Sequence, residues 1–105
     1  MHLSKQKLNA ITAYFQDKPV LKAYLFGSYA RGEAGRKSDV DILVELDYSQ
    51  RIGIAFFGWH IDLEELLKKK VDLLSSDGIS PYVKPYIEAD KMLIYERDNR
   101  GQSEA

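Results

Sequence analysis

Residues 20–46, VLKAYLFGSYARGEAGRKSDVDILVEL, carry the pattern on which the fold turns. Residues 20–26 are rich in aliphatic and aromatic side chains and stop abruptly at Gly27-Ser28, which reads as a strand running into a tight turn. Residues 38–46 read as a second strand. Its alternation sends Val40, Ile42 and Val44 to one face and Asp39, Asp41, Leu43 and Glu45 to the other. Between the strands, Tyr29-Ala30-Arg31-Gly32 has the length of one helical turn closed by Gly32, and residues 33–37 form a polar loop around Gly35.

Outward from this stretch the pattern continues without a repeat or a linker. Leu8, Ile11 and Phe15 recur at helical spacing over residues 3–15, and Asp17-Lys18-Pro19 stops that helix. Residues 53–70 read as a longer helix whose apolar side carries Phe56, Trp59, Leu63, Leu66 and Leu67. Near its end Glu64–Lys68 and Glu65–Lys69 are spaced as favourable i, i+4 pairs. Phe57 and Ile61 fall on a second stripe of the same helix; core packing is the expected use for both, and an exposed stripe would instead mark a partner surface. Residues 71–74 give a short third strand, residues 81–89 a helix that Pro85 limits or kinks, and residues 91–96 a fourth strand. The expectation is one α/β (α+β) domain over residues 1–97, a mixed four-stranded sheet packed with helices, followed by a polar tail at 98–105 that frays.

Bulk properties narrow the class. A chain of 105 residues holds one ordinary domain, and 45% hydrophobic with 30% charged residues is a globular composition, neither disordered nor membrane-spanning. A net charge of −1 argues against wholesale nucleic-acid binding, although a local basic patch can hide in that average. There are no cysteines, which excludes disulfides and thiolate–metal sites. No apolar run reaches the length of a membrane span, and Met1-His2-Leu3-Ser4-Lys5 lacks the apolar core of a secretion signal, so a cytoplasmic location is expected.

The chemistry concentrates in the opening stretch. Transfer of a phosphoryl or nucleotidyl group depends mainly on positioning and electrostatic stabilisation, usually through Mg²⁺. Magnesium takes hard oxygen ligands, a few carboxylates completed by water and phosphate oxygens. A strand offers two carboxylates on one face only at i, i+2, which is the spacing of Asp39 and Asp41. Two such groups repel, by roughly 4 kcal/mol at about 4 Å and an effective dielectric near 20, so a bridging cation explains their retention. Gly27 lets the backbone approach a phosphate, Ser28 offers a hydroxyl, and the turn into Tyr29 exposes amide N–H groups. Arg31, Arg36 and Lys37 are each open to two readings, phosphate contact or solvated loop charge. Four fixed identities at roughly 6% each arise by chance in about one chain of this size per thousand, so the motif is specific.

Residues 27–45, GSYARGEAGRKSDVDILVE, resemble the signature of the DNA polymerase β-like nucleotidyltransferase superfamily: Gly-Ser, ten residues, then Asp-x-Asp. The Ala30-Arg31-Gly32 segment and the short chain are similar to the minimal nucleotidyltransferase (MNT) group. The resemblance implies the nucleotidyltransferase fold and two Mg²⁺ ions bound or bridged by Asp39 and Asp41, with ATP as substrate. It also implies a third carboxylate on a neighbouring strand, at the ion that activates the attacking hydroxyl. Asp72, a charge inside Val71-Asp72-Leu73-Leu74, is the candidate; its bland alternative is an aspartate on a solvent-facing edge. The catalytic and metal set is then Asp39, Asp41 and Asp72, with Gly27, Ser28 and Arg31 at the phosphates.

With no room for an acceptor-binding domain, the resemblance points to AMP transfer onto a hydroxyl of a partner protein, as the antitoxin of a HEPN–MNT pair acting on its HEPN-type toxin. Two other readings stay open: a binding antitoxin that works by occlusion, and an enzyme for a small aminoglycoside-like molecule. Neither a membrane nor direct nucleic-acid contact is expected. His2 and His60 lack metal-ligand spacing, and Asp62, Glu64 and Glu65, with lysines following, read as a solvated helix flank.

Overall fold

A computed structural model describes residues 2–97; the expected tail at 98–105 lies outside the described residues. Helix α1 spans Lys5–Phe15, and Ser4, in extended conformation, caps it by accepting from the Lys7 N–H at 3.2 Å. Strand β1 (Val20–Phe26) leads through Gly27 into the single turn α2 (Ser28–Arg31), which Gly32 closes in the left-handed region at φ 74°. Strand β2 covers Val40–Leu46, helix α3 Ala55–Leu67 and strand β3 Val71–Ser75. A 3₁₀ turn at Ser76–Gly78, helix α4 (Lys84–Asp90) and strand β4 (Met92–Glu96) complete the order.

The strands form one four-stranded mixed sheet in the order β3-β2-β1-β4. β1 pairs antiparallel with β2 and with β4, while β2 and β3 run parallel and are joined through α3. Helices α1 and α3 pack on each other and against one face of this sheet. Ile11, Phe15, Trp59, Leu63 and Leu67 from the helices meet Ala23, Leu25, Val40, Ile42 and Val44 from the strands in a single buried cluster. Leu43 and Ile87 are buried outside that cluster, and α4 packs against β1. Alternation along β2 leaves Asp41 and Glu45 half-buried between fully buried neighbours.

The expected fold class is the observed one; three local expectations change. Pro85 does not kink α4 but lies in its first turn, where its missing N–H has no intrahelical partner to lose. Phe57 and Ile61 do not enter the core: they are 68% and 53% exposed, in line with Ile54 at 86%, so the second stripe of α3 faces outward. Leu66 is also exposed. Finally, α3 ends at Leu67 because Lys68 turns into the left-handed conformation (φ 57°, ψ 36°). Lys68 thus leaves the helical register that pairing with Glu64 needs. Among the described residues neither expected i, i+4 ion pair forms, and Glu64 instead accepts the Val71 N–H at 3.0 Å.

The two sides of α3 should separate cleanly in urea denaturation. Leu63→Ala, at a fully buried position, should cost about 2–5 kcal/mol. Ile61→Ser should stay within about 0.5 kcal/mol of wild type, as surface changes do. Equal costs would contradict the outward placement of Ile61.

Candidate active site

The site sits where β1 ends and the parallel pair β2–β3 begins. Antiparallel pairing sets Phe26, the last residue of β1, against Asp41, and parallel pairing sets Asp41 against Asp72. Asp41 and Asp72 therefore leave adjacent strands on the same face of the sheet, one strand spacing apart. Asp39 lies just before β2, two residues from Asp41, and is exposed, as is Asp72; Asp41 is the half-buried member.

Gly27 closes this arrangement on the β1 side. Its φ of 73° is in the left-handed region, and a Cβ there would collide with the Asp41 carboxylate. Glycine is thus required twice, by the backbone and by the acid beside it. After it, the Ala30 and Arg31 N–H groups return to the Gly27 carbonyl at 3.1 Å each, so the turn that carries Ser28 is held rigidly against the strand end. α2 has four residues, so its dipole is small; what the turn supplies is a fixed backbone beside the acids.

The electrostatics single out Asp41. Its carboxyl is pushed up to about 6, chiefly by burial and then by the charges of Asp72 and Asp39, while Arg31 acts in the opposite sense. Arg31 is therefore within electrostatic reach of the acids. Its guanidinium is held by carboxylates, though: Nε donates to Glu33 at 2.8 Å and Nη1 to Asp90 at 2.6 Å. These contacts tie the α2 turn to the end of α4. For Arg31 to reach a phosphate, at least one of these pairs must open.

Three positioning contacts escape sequence reasoning. Asp90, 59 residues from Arg31 in the chain, fixes that guanidinium. Glu64 anchors the first residue of β3, immediately before Asp72. Tyr24 donates to Glu45 at 3.0 Å beneath the ammonium of Lys91, 4.5 Å from the ring centroid. None has a local signature: two pair residues more than twenty apart in the chain, and the Glu64 contact depends on the turn that Lys68 makes after α3. Only the oddity of an acid at the close of α4 could have drawn attention to Asp90.

The donor set fits magnesium held jointly with a substrate. Among the described residues no three His, Cys, Asp or Glu side chains form a ready cage for an ion. A hard cation bound by one or two carboxylates, with phosphate oxygens and water completing its shell, matches what Asp41 and its neighbours offer. It would also offset the burial and the repulsion that raise Asp41.

Two measurements follow from this geometry. Because the Asp41 value in the folded chain lies above the ordinary 3.8, the fold holds this proton more tightly than the unfolded chain; the resulting stability is present at acid pH and lost as pH rises through about 6. Without divalent ions, Asp41→Asn should melt above wild type at neutral pH, with the gap closing toward pH 3.8. A gap that ignores pH would contradict the raised carboxyl. Gly27→Ala should cost about 1 kcal/mol or more, whereas Gly35→Ala, with open space around it and no left-handed backbone, should change little.

Comparison with known proteins bears on the family and the fold. The family model described as polymerase beta, nucleotidyltransferase matches residues 9–100. A protein of Methanocaldococcus jannaschii, provisionally assigned as a protein adenylyltransferase, is 43% identical over 94 residues, spanning 87% of this chain and 92% of its own. Among solved structures, a toxin–antitoxin with AMP-PNP superposes with a TM-score of 0.71 at 21% identity, covering 95% of this chain and 80% of the other. The complex of a tri-AMPylated Shewanella oneidensis HEPN toxin with its MNT antitoxin gives 0.64 at 20% identity, covering 92% and 75%. At these identities the two structures speak for the fold. Among the described residues no helix is long and apolar enough to cross a membrane. The match to the family model spans most of the chain, and the protein belongs to the polymerase β-type nucleotidyltransferase family.

Proposed function

We propose that this protein transfers AMP from ATP to a hydroxyl group of a partner protein. The observation that carries the reading is the juxtaposition of Gly27 with Asp41, and of Asp41 with Asp72, at one end of the sheet. In this reading the triphosphate lies along the Gly27-Ser28 turn, and Asp39 and Asp41 hold the Mg²⁺ ions. Bound magnesium would neutralise charge on the phosphates during transfer. Asp72 faces the incoming hydroxyl and takes up its proton. The acceptor oxygen then bonds to the α-phosphorus in line, the bond to the bridging oxygen breaks, and pyrophosphate departs. Arg31, released from Asp90 or Glu33, can follow the charge on the leaving phosphates.

The M. jannaschii relative is named for protein adenylylation, and the Shewanella complex holds a toxin bearing AMP groups beside its antitoxin. This supports an antitoxin that silences a HEPN-type toxin by modifying it, inside the cell. One observation favours a second reading, in which the chain neutralises its partner by occlusion alone. The stripe Ile54, Phe57 and Ile61 on α3 exposes apolar surface suited to a lasting contact.

The two readings part in one experiment. The pure chain is incubated with Mg²⁺, labelled ATP and the protein encoded beside it, and label on that protein is measured. Transfer by wild type, with loss of at least about a hundredfold in Asp39→Ala and Asp41→Ala, is the expected result. Equal labelling by the variants, or none by wild type, would sink the transfer reading. Protection of cells by the double variant would favour occlusion.

A further inference from the structure

The chain carries a net charge of −1, yet five cations gather beside Asp39. Arg36 and Lys37, from the loop before β2, face Lys68, Lys69 and Lys70, from the turn between α3 and β3. Together with Ser38 and Asp39 they line a cleft of about 300 Å³, in which Asp39 is the single acid. The two loops are stitched together: the Val40 N–H donates to the Lys70 carbonyl at 2.9 Å, and Lys69 Nζ to the Arg36 carbonyl at 3.4 Å. Among the described residues none of the five cations has a carboxylate ion pair.

Part of this charge has an ordinary use. Lysines that follow a helix complement the negative end of its dipole, and Lys68–Lys70 follow α3. Arg36 and Lys37 end no helix of that length, so the dipole does not account for them. Lys68 is also costly where it stands. It is the single non-glycine residue with positive φ among the described residues, at a helix-closing position that favours glycine. A cation is kept at a backbone position it does not suit, among like charges that repel it.

We infer that this cleft docks an acidic segment of the acceptor protein and so brings its hydroxyl to the end of the sheet that carries Asp39 and Asp72. In-line transfer puts the attacking and leaving groups on opposite sides of the α-phosphorus. With the leaving phosphates at the Gly27-Ser28 turn beyond β1, the acceptor enters from the β3 side, and the cleft opens on that side, where parallel β2 and β3 begin. Its lining favours carboxylates over nucleic acid. No aromatic side chain is among the cleft residues to stack on a base. The identity of the occupant as acceptor rests on the function proposed above.

The test uses the ¹⁵N-labelled full chain titrated with octaglutamate, an oligouridylate of equal charge, and ATP. Octaglutamate should shift amide signals in residues 36–39 and 68–70 rather than around Lys5 or Lys84, and lose affinity as salt rises. Lys68→Gly and Lys70→Gln should each weaken that binding about two- to fivefold, as removal of one exposed charge contact does. Lys68→Gly should melt no lower than wild type, which separates the charge from the fold. ATP affinity should be unchanged in both variants. Absence of localised shifts, tighter binding of oligouridylate, or loss of ATP affinity in the two variants would each overturn the assignment. Peptide binding is read without turnover, so localised binding to a chain that fails to transfer label still supports the cleft and faults the transfer reading alone.

Discussion

The structure depends on the register of one strand pair. Parallel pairing of β2 with β3 aligns Val40 with Val71, and from that alignment Asp41 must stand beside Asp72. A slip of one residue would turn Asp72 to the opposite face and bring Leu73 into its place. Much of the surrounding architecture holds that register. The buried side of α3 fixes the helix on the sheet, Lys68 ends it sharply, and Glu64 reaches forward to the Val71 N–H. On the other flank, Gly27 gives the Asp41 carboxylate the space a side chain would fill.

The same end of the molecule is organised by charge. On one side burial raises the Asp41 carboxyl, and the charges of Asp72 and Asp39 add to that effect. On the other, five cations of two loops meet around Asp39, and among the described residues none of them has a carboxylate ion pair. The −1 total, from 15 basic and 16 acidic residues over the whole chain, conceals both. Segregation of this kind costs folding stability and is explained when ligands complete each half. A metal-bound triphosphate completes the acidic half; an acidic acceptor segment would complete the basic one. Arg31 lies between these roles, close enough to act on Asp41 yet held by Glu33 and Asp90.

What could be read from sequence follows the range of the interactions involved. All four strands, their mixed arrangement and the faces of β2 were legible, because alternation and turn residues are local signals. Gly27 and the Asp39–Asp41 spacing were legible for the same reason. The orientation of Phe57 and Ile61 was not: an apolar stripe has the same spacing whether a sheet or nothing covers it, and only the placement of α1 decides. The lysines of 68–70 were visible as a run, but their meeting with Arg36 and Lys37 follows from a loop contact across more than thirty residues of chain. The ion pair of Arg31 with Asp90 is of that kind too.

Asp41 and its neighbouring carboxylates stay together, in the function proposed above, to share a cation with a triphosphate lying on Gly27-Ser28. A crystal grown with Mn²⁺ and a non-hydrolysable ATP analogue tests it through the anomalous signal of the metal. The expected result is a metal peak at about 2.1 Å from an Asp41 carboxylate oxygen, coordinated by Asp39 or Asp72 and by phosphate oxygens, with the phosphates against the Gly27 backbone. A metal bound away from Asp41, or a triphosphate seated elsewhere on the chain, would contradict it.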